Sequence, residues 1–315
     1  MEKVLVTGAS GYIALHCISK LLKVGYAVKG SLRDMSREIE VRDSVTKDVA
    51  SYQLEFCELD LMNDEGWEKH TEDCDYILHL ASPFFLQVPK NENELISPAE
   101  LGTIRAMKAA KKNNLKKIII ISSMAAVAYG DKEKHIYNEN DWSNVDLDIG
   151  AYRKSKTIAE KVAWEYIHNQ DTNNLKLTTI LPGFVFGPTL NNDKDSTSVN
   201  MMKKIMNGEN KGLPEYLSIA DVRDVAELLV KSIDSKKSDG KRLLATSPKS
   251  IHISKISHLL HKNGFLIPNF DNIKIEESEG GYNADISPVL SIFDWEQTPL
   301  EKTILDMAEK IKKYN

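Results

Sequence analysis

The chain has 315 residues, 42% of them hydrophobic and 28% charged, with a formal net charge of −5. That length and apolar content suffice for one large α/β unit plus a smaller lobe. The acidic balance argues against a nucleic-acid partner or an anionic membrane surface, and no apolar run approaches the roughly 20 residues that cross a bilayer. The chain enters a strand at residue 2 with no signal-like segment ahead of it, so a cytoplasmic protein is expected. Cys17, Cys57 and Cys74 are odd in number and share no metal-ligand spacing, and His258 and His261 stand three apart without a supporting carboxylate or cysteine cluster. No metal site is expected.

Residues 2 to 7 read as a short buried strand, and Gly8-Ala-Ser10-Gly11-Tyr12-Ile13-Ala14 follows at once, ahead of an apolar helical stretch. In a strand, turn and helix of this kind, glycines let the backbone approach a pyrophosphate while the helix N-terminus offers unpaired N–H groups to the anion. Gly8, Ser10, Gly11, Tyr12 and Ile13 are therefore candidate cofactor contacts. The spacing is Gly-x-x-Gly-x-x-Ala, with Ala14 where helix and strand pack closely. A second strand, 27 to 32, ends in Arg33-Asp34-Met35-Ser36-Arg37. An acidic residue at this strand end suits a ribose 2'-hydroxyl, and an arginine suits a 2'-phosphate. Arg33, with Arg37 within reach, favours NADP(H) over NAD(H); the alternative, which Asp34 beside Arg33 supports, is two solvated arginines on a charged loop.

Further strands are expected at 52 to 57, 75 to 80, 117 to 122 and 175 to 181, and helices at 11 to 24, 94 to 113, 150 to 169, 198 to 208, 221 to 234 and 299 to 313. Strands alternating with helices imply a doubly wound, Rossmann-type parallel sheet covered on both faces. The apolar run Ile118 to Ile121 suits a central strand. Asp60-Leu61 after the third strand is a candidate for the adenine, or a simple cap for a helix starting near Asn63. His79-Leu80-Ala81-Ser82-Pro83 closes the fourth strand. Its small Ala81 and Ser82 would let a cofactor pass close to the backbone beside Leu80, with His79 a buried strand residue. Ser122-Ser123 ends the central strand at the edge where open parallel sheets bind ligands. Ser123 is a candidate donor to a carbonyl oxygen, or a turn former.

Tyr152 and Lys156 form a Tyr-x-x-x-Lys pair on the predicted 150 to 169 helix. Residues four apart share a helix face, so the ammonium can sit near the phenol and lower its pKa from about 10. After residue 183 the alternation weakens. A dinucleotide-binding domain is expected over 1–183, with later segments returning to its sheet, and 184–315 is expected to be mainly a substrate-binding lobe. Leu181 to Pro188 combines a strand end, a rigid turn and apolar side chains suited to a nicotinamide ring.

Taken together, the glycine turn, Arg33, Asp60-Leu61, His79 to Pro83, Ser122-Ser123, Tyr152-x-x-x-Lys156, Pro182 to Pro188 and Asp221-Val-Arg-Asp-Val-Ala226 resemble an extended short-chain dehydrogenase/reductase. Within that superfamily the chain is most similar to the dihydroflavonol 4-reductase-like branch, which includes microbial aldehyde reductases. The resemblance implies a catalytic triad of Ser123, Tyr152 and Lys156, a 2'-phosphate on Arg33, adenine on Asp60 and Leu61, and nicotinamide beside Pro182, Gly183, Phe184 and Val185. It implies an NADPH-dependent reductase of a small aldehyde or ketone. A monomer or a homodimer is expected, since the helices at 94 to 113 and 150 to 169 could pair across a two-fold axis. Two departures stand out: Ala128 replaces an asparagine that binds flavonoid hydroxyls, and Glu40 replaces a second basic residue near the phosphate. The alternatives are an NAD-dependent sugar-nucleotide epimerase or dehydratase, and a non-catalytic NADP-binding redox sensor. The substrate pocket is expected from Phe84, Phe85, the 124 to 150 loop and the lobe after 187.

Overall fold

Side chains that point alternately to two apolar layers organise the main sheet. The computed structural model describes residues 1–47, 53–83, 90–130, 134, 136–169, 174–192, 196–278 and 280–314. Strands β1 (Lys3–Thr7), β2 (Ala27–Leu32), β3 (Leu54–Glu58), β4 (Tyr76–His79), β5 (Lys117–Ile121), β7 (Lys176–Pro182) and β11 (Lys241–Ala245) form one parallel sheet in the order β11-β7-β5-β4-β1-β2-β3. Short two-stranded pairings join β6 (Ile136–Tyr137) to β13 (Asn283–Ala284), β8 (Phe184–Phe186) to β10 (Ile219–Asp221), and β9 (Tyr216–Leu217) to β12 (Ile251–His252). The helices are α1 (Tyr12–Lys23), α2 (Glu38–Val45), α3 (Trp67–Thr71), α4 (Asn93–Lys112), α5 (Ala151–Asn169), α6 (Thr197–Met206), α7 (Val222–Asp234), α8 (Ile253–Lys262), α9 (Ser287–Phe293) and α10 (Leu300–Tyr314).

Strand geometry sends successive side chains to opposite faces. Val4, Val6, Ile119 and Ile121 join the core beneath α1 and α7, whereas Leu5, Ile118 and Ile120 join the one beneath α3, α4 and α5. Each crossover after β1 first moves the sheet outward to β3, and the chain then returns to β4 on the other side of β1. The switch point between β1 and β4 opens a crevice at the carboxyl ends of the strands, the place where such sheets accept ligands. A third apolar core, with Phe186, Met202, Leu217, Ile256, Leu260 and Met307 at its centre, unites α6, α8 and α10 with the short strands. Among the described residues no helix is long and apolar enough to cross a membrane.

The sheet is larger than the six strands read from the sequence, because β11 pairs with β7 from Lys241↔Thr178 to Ala245↔Pro182. Residues 222 to 245 thus complete the unit begun by 1 to 183. A buried ion pair accompanies that addition. Arg242 on β11 donates Nε and Nη2 to Glu160 of α5 at 2.8 and 3.2 Å, and Nη1 to the carbonyls of Glu139 and Asp141 at 2.6 and 2.7 Å. Its guanidinium lies 3.6 Å from the ring centroid of Trp142. Glu160 is 1% exposed and also accepts from Ser122 Oγ and Thr179 Oγ1, both at 2.7 Å.

Removing one partner of such a pair leaves an uncompensated buried charge. Arg242→Met should therefore destabilise the fold by about 3–5 kcal/mol in urea unfolding at neutral pH. The double variant Arg242→Met, Glu160→Met should recover much of that loss; equal destabilisation of the single and double variants would count against the account.

Candidate active site

The glycine turn is seated by contacts from both neighbouring strands. Gly8 has φ +67°, and a Cβ there would stand 3.0 Å from Ala81 Cα, so both the left-handed conformation and the close approach of β4 demand glycine. Gly8 N–H donates to Ser31 Oγ at 3.2 Å and Ala9 N–H to Ser31 O at 2.9 Å. Thr7 Oγ1 accepts from the N–H groups of Leu80 and Ala81, each at 3.0 Å. Its own proton therefore goes to His79 Nδ1, 3.0 Å away, which assigns His79 the Nε2–H tautomer. Burial lowers the His79 pKa to about 3, and the Lys156 charge acts in the same direction, so the ring is a neutral brace at the strand end. Gly11 caps α1 without a side-chain hydrogen bond, and no acidic residue stands in the first turn. A helix N-terminus of this kind presents partial positive charge to an anion.

At the end of β2, Arg33 is exposed and makes no hydrogen bond or ion pair among the described residues. Arg37 is committed elsewhere, donating Nε and Nη2 to Glu40 at 2.9 and 3.0 Å. The pair of phosphate-reaching arginines expected from the sequence thus reduces to one available guanidinium. The Asp34 carboxylate accepts from Ser36 N–H at 3.0 Å and caps the following turn. Asp60 likewise accepts from Met62 N–H at 2.8 Å; the helix it was expected to cap near Asn63 starts instead at Trp67. Leu61 packs against α4 at Gly102, and its carbonyl accepts from Arg105 Nη1 at 2.7 Å.

A cavity of about 620 Å³ opens at the carboxyl edge of the sheet. It brings together Gly8, Gly11, Tyr12 and Ile13 from the first turn, Leu80 after β4, Ser123 after β5, Tyr152 and Lys156 on α5, and Pro182 to Val185. Ser10, Arg33, Asp60 and Leu61 do not line it, while Ala81 and Ser82 border a small recess beside Lys156 and Glu160. Position 183 admits no side chain: a Cβ would lie 2.1 Å from Ser218 O and 2.3 Å from Thr246 Oγ1. Phe84 and Phe85 lie outside the described residues. Tyr129, from the 124 to 150 loop, and Tyr282, from the later lobe, also line the cavity as those segments were expected to, whereas nothing in the sequence marked Arg153.

Ser123 combines two tasks that the sequence left as alternatives. Its Oγ accepts from Ala125 N–H at 3.1 Å, starting a short turn, and it lines the same cavity as Tyr152. Burial raises the Tyr152 pKa above its ordinary value, and the Ser123 hydroxyl opposes that rise. This reverses the expected direction, because loss of solvent around the phenol outweighs any nearby positive charge. Burial also lowers Lys156 to about 8, against the opposing charge of Glu160 one turn further along α5. The arrangement can hold a hydroxyl, a protonated phenol and a titratable amine around one apolar space. In the ligand-free protein, one lysine ε-carbon resonance should titrate near pH 8 by NMR and vanish in Lys156→Met. If every lysine instead titrates near the ordinary value of about 10.4, the depressed amine is refuted.

A nucleotide-binding parallel sheet with a hydroxyl, phenol and amine at its switch point defines a class of dinucleotide-dependent enzymes. Comparison with known proteins places the chain within it. Residues 4–244 match the NAD dependent epimerase/dehydratase family, and the chain belongs to that family. It is 30% identical to cinnamoyl-CoA reductase CAD2 of Medicago truncatula over 98% of this chain and 95% of the relative. It is 31% identical to the NADPH-dependent methylglyoxal reductase GRE2 of Saccharomyces cerevisiae, covering 78% of each chain. The crystal structure of yeast methylglyoxal/isovaleraldehyde reductase Gre2 complexed with NADPH superposes with a TM-score of 0.85 at 26% identity, covering 99% of this chain and 98% of that one.

Proposed function

We propose that the protein is an NADPH-dependent reductase of aldehydes or ketones. The observation that carries this reading is a single cavity shared by the glycine turn, Ser123, Tyr152 and Lys156. Two similar proteins support it: the yeast methylglyoxal reductase is NADPH-dependent by name, and the yeast Gre2 structure contains that dinucleotide.

The cradle fits such a cofactor on its own evidence. The glycine turn leads into the N-terminus of α1, whose partial positive charge favours a pyrophosphate, and Arg33 is available for a 2'-phosphate. Ser10, Tyr12 and Ile13 extend the same turn. Asp60 and Leu61 would hold the adenine, Leu80, Ala81 and Ser82 would flank the path to the reaction centre, and Pro182, Gly183, Phe184 and Val185 would hold the nicotinamide. Residues 1–183, completed by α7 and β11, form the dinucleotide unit, and 184–315 supply most of the substrate lobe. When bound, NADPH supplies the hydride.

Ser123 orients the carbonyl oxygen of the substrate, and Tyr152 delivers a proton to that oxygen as negative charge develops on it. A buried phenol with a raised pKa is protonated at neutral pH, the state a proton donor requires. Lys156 stabilises the tyrosinate left behind and holds the cofactor ribose, and Glu160 behind it favours the charged amine. Gly183 lets the strand end pack against Ser218 O and Thr246, where any side chain would clash, and this would shape the wall offered to the nicotinamide.

Tyr152→Phe should lower kcat by about 10²–10⁴-fold while the NADPH dissociation constant, read by fluorescence titration, stays near its wild-type value. A variant that still turns over a broad set of aldehydes at the wild-type rate would eliminate the acid role. Arg33→Ala should raise the NADPH dissociation constant by about tenfold or more and leave that of NADH in place. An equal change for both dinucleotides would refute the 2'-phosphate assignment.

A further inference from the structure

Resting on the reductase reading, we propose that the substrate is an oxo acid, a carbonyl compound whose carboxylate is held by Arg153. No aspartate or glutamate lines the described wall of the cavity, whereas two cations do, Lys156 and Arg153. Lys156 has an anionic counterweight in Glu160, one turn away on the same helix. Arg153 forms no ion pair among the described residues. A half-buried guanidinium without a carboxylate partner has lost water on one side, and an anion supplied by the ligand offsets that loss.

The guanidinium is also held in a fixed attitude. Its Cζ lies 4.1 Å from the ring centroid of Tyr129, and Nη1 donates to Ile149 O at 2.8 Å. Tyr129 is buttressed in turn by Tyr282, with ring centroids 6.2 Å apart in an edge-to-face arrangement, and Tyr282 by Tyr137 at 6.0 Å. One face and one corner of the group are thus occupied, and its remaining N–H donors meet no acceptor among the described residues. A guanidinium offers five donors in a planar fork that matches a carboxylate in two parallel bonds. Arg153 follows Tyr152 directly on α5 and lines the same cavity, so an acid group gripped there leaves the neighbouring carbonyl of a short oxo acid beside the phenol. Among the described residues no hydrogen bond links Arg153 to the glycine turn or to Arg33, and Arg33 does not line the cavity that Arg153 lines.

The test uses matched pairs of free acid and methyl ester: pyruvate with methyl pyruvate, and succinic semialdehyde with its methyl ester, each with NADPH and the full-length protein. In the wild type, kcat/KM for at least one acid should exceed that for its ester by about tenfold or more. Arg153→Met should collapse that ratio, and Arg153→Lys should retain part of it. Were Arg153 merely a prop for Tyr129, both members of a pair would fall together and the ratio would stand, which overturns the proposal while the reductase reading survives. A binding arm needs no turnover. With NADPH present, 4-hydroxybutyrate or lactate should raise the melting temperature of the wild type and not of Arg153→Met, and the methyl esters should raise neither. If neither hydroxy acid gives an Arg153-dependent shift, the proposal fails. NADPH-dependent reduction absent for every carbonyl tested would instead reject the reading on which it rests.

Discussion

Glu160 is the buried charge around which the catalytic edge is built. Its two oxygens gather Ser122 at the end of β5, Thr179 on β7, Arg242 on β11 and Trp164 one turn along α5, the last at 3.3 Å. A carboxylate this deep survives only because every lone pair meets a donor and one donor carries a full charge. The same helix carries Tyr152 and Lys156, so the carboxylate sets the rotation and height of α5 against three strands at once. Through Arg242 the constraint continues to the 139–142 segment, whose carbonyls and indole ring hold the other side of the guanidinium.

Solvent exclusion then divides the labour along the cavity. Its walls are mostly apolar, and burial moves Tyr152, Tyr282 and Lys156 in them toward their neutral forms, as it does His79 at the adjoining strand end. Proton movement between such groups needs smaller rearrangements of surrounding water than in bulk solvent. Charges that must persist are handled differently. Arg153 is stacked and cornered, Arg33 stays in solvent, and the first turn of α1 presents partial positive charge with no side-chain ion to be desolvated.

Periodicity made the sheet legible in the letters. The continuous run Ile118 to Ile121 is buried on both faces, and its neighbours at 3–7, 27–32, 76–79 and 176–182 lie within two residues of where their apolar patterns placed them. β11 escaped because Lys241-Arg242-Leu-Leu-Ala is short and opens with two cations, one of which is buried only by virtue of Glu160 far away in sequence. The Tyr-Lys spacing and the glycine turn were readable because local geometry dictates them. The direction of the phenol's pKa was not, since burial depends on how distant segments close over α5. Arg153 belongs to the same class of hidden residues: it meets Tyr129 through tertiary packing, and Tyr282 arrives beside the site by way of the β6–β13 pairing. Arg37 illustrates the converse. A plausible phosphate ligand by position, it is drawn away by Glu40 three residues on, itself also bound by Asn191.

One tether has a consequence for how the two halves behave as a machine. Tyr12 donates its hydroxyl to Gly187 O at 2.7 Å, and His16 Nε2 donates to Pro188 O at 2.9 Å, one turn further along α1. Burial lowers His16 to about 4, which keeps that ring uncharged across the physiological range. The helix whose tip faces an incoming anion is thereby bolted to the bend where the chain leaves the main sheet. A displacement at one is transmitted to the other without a slack joint, so the nucleotide end and the carbonyl end share a single mechanical frame.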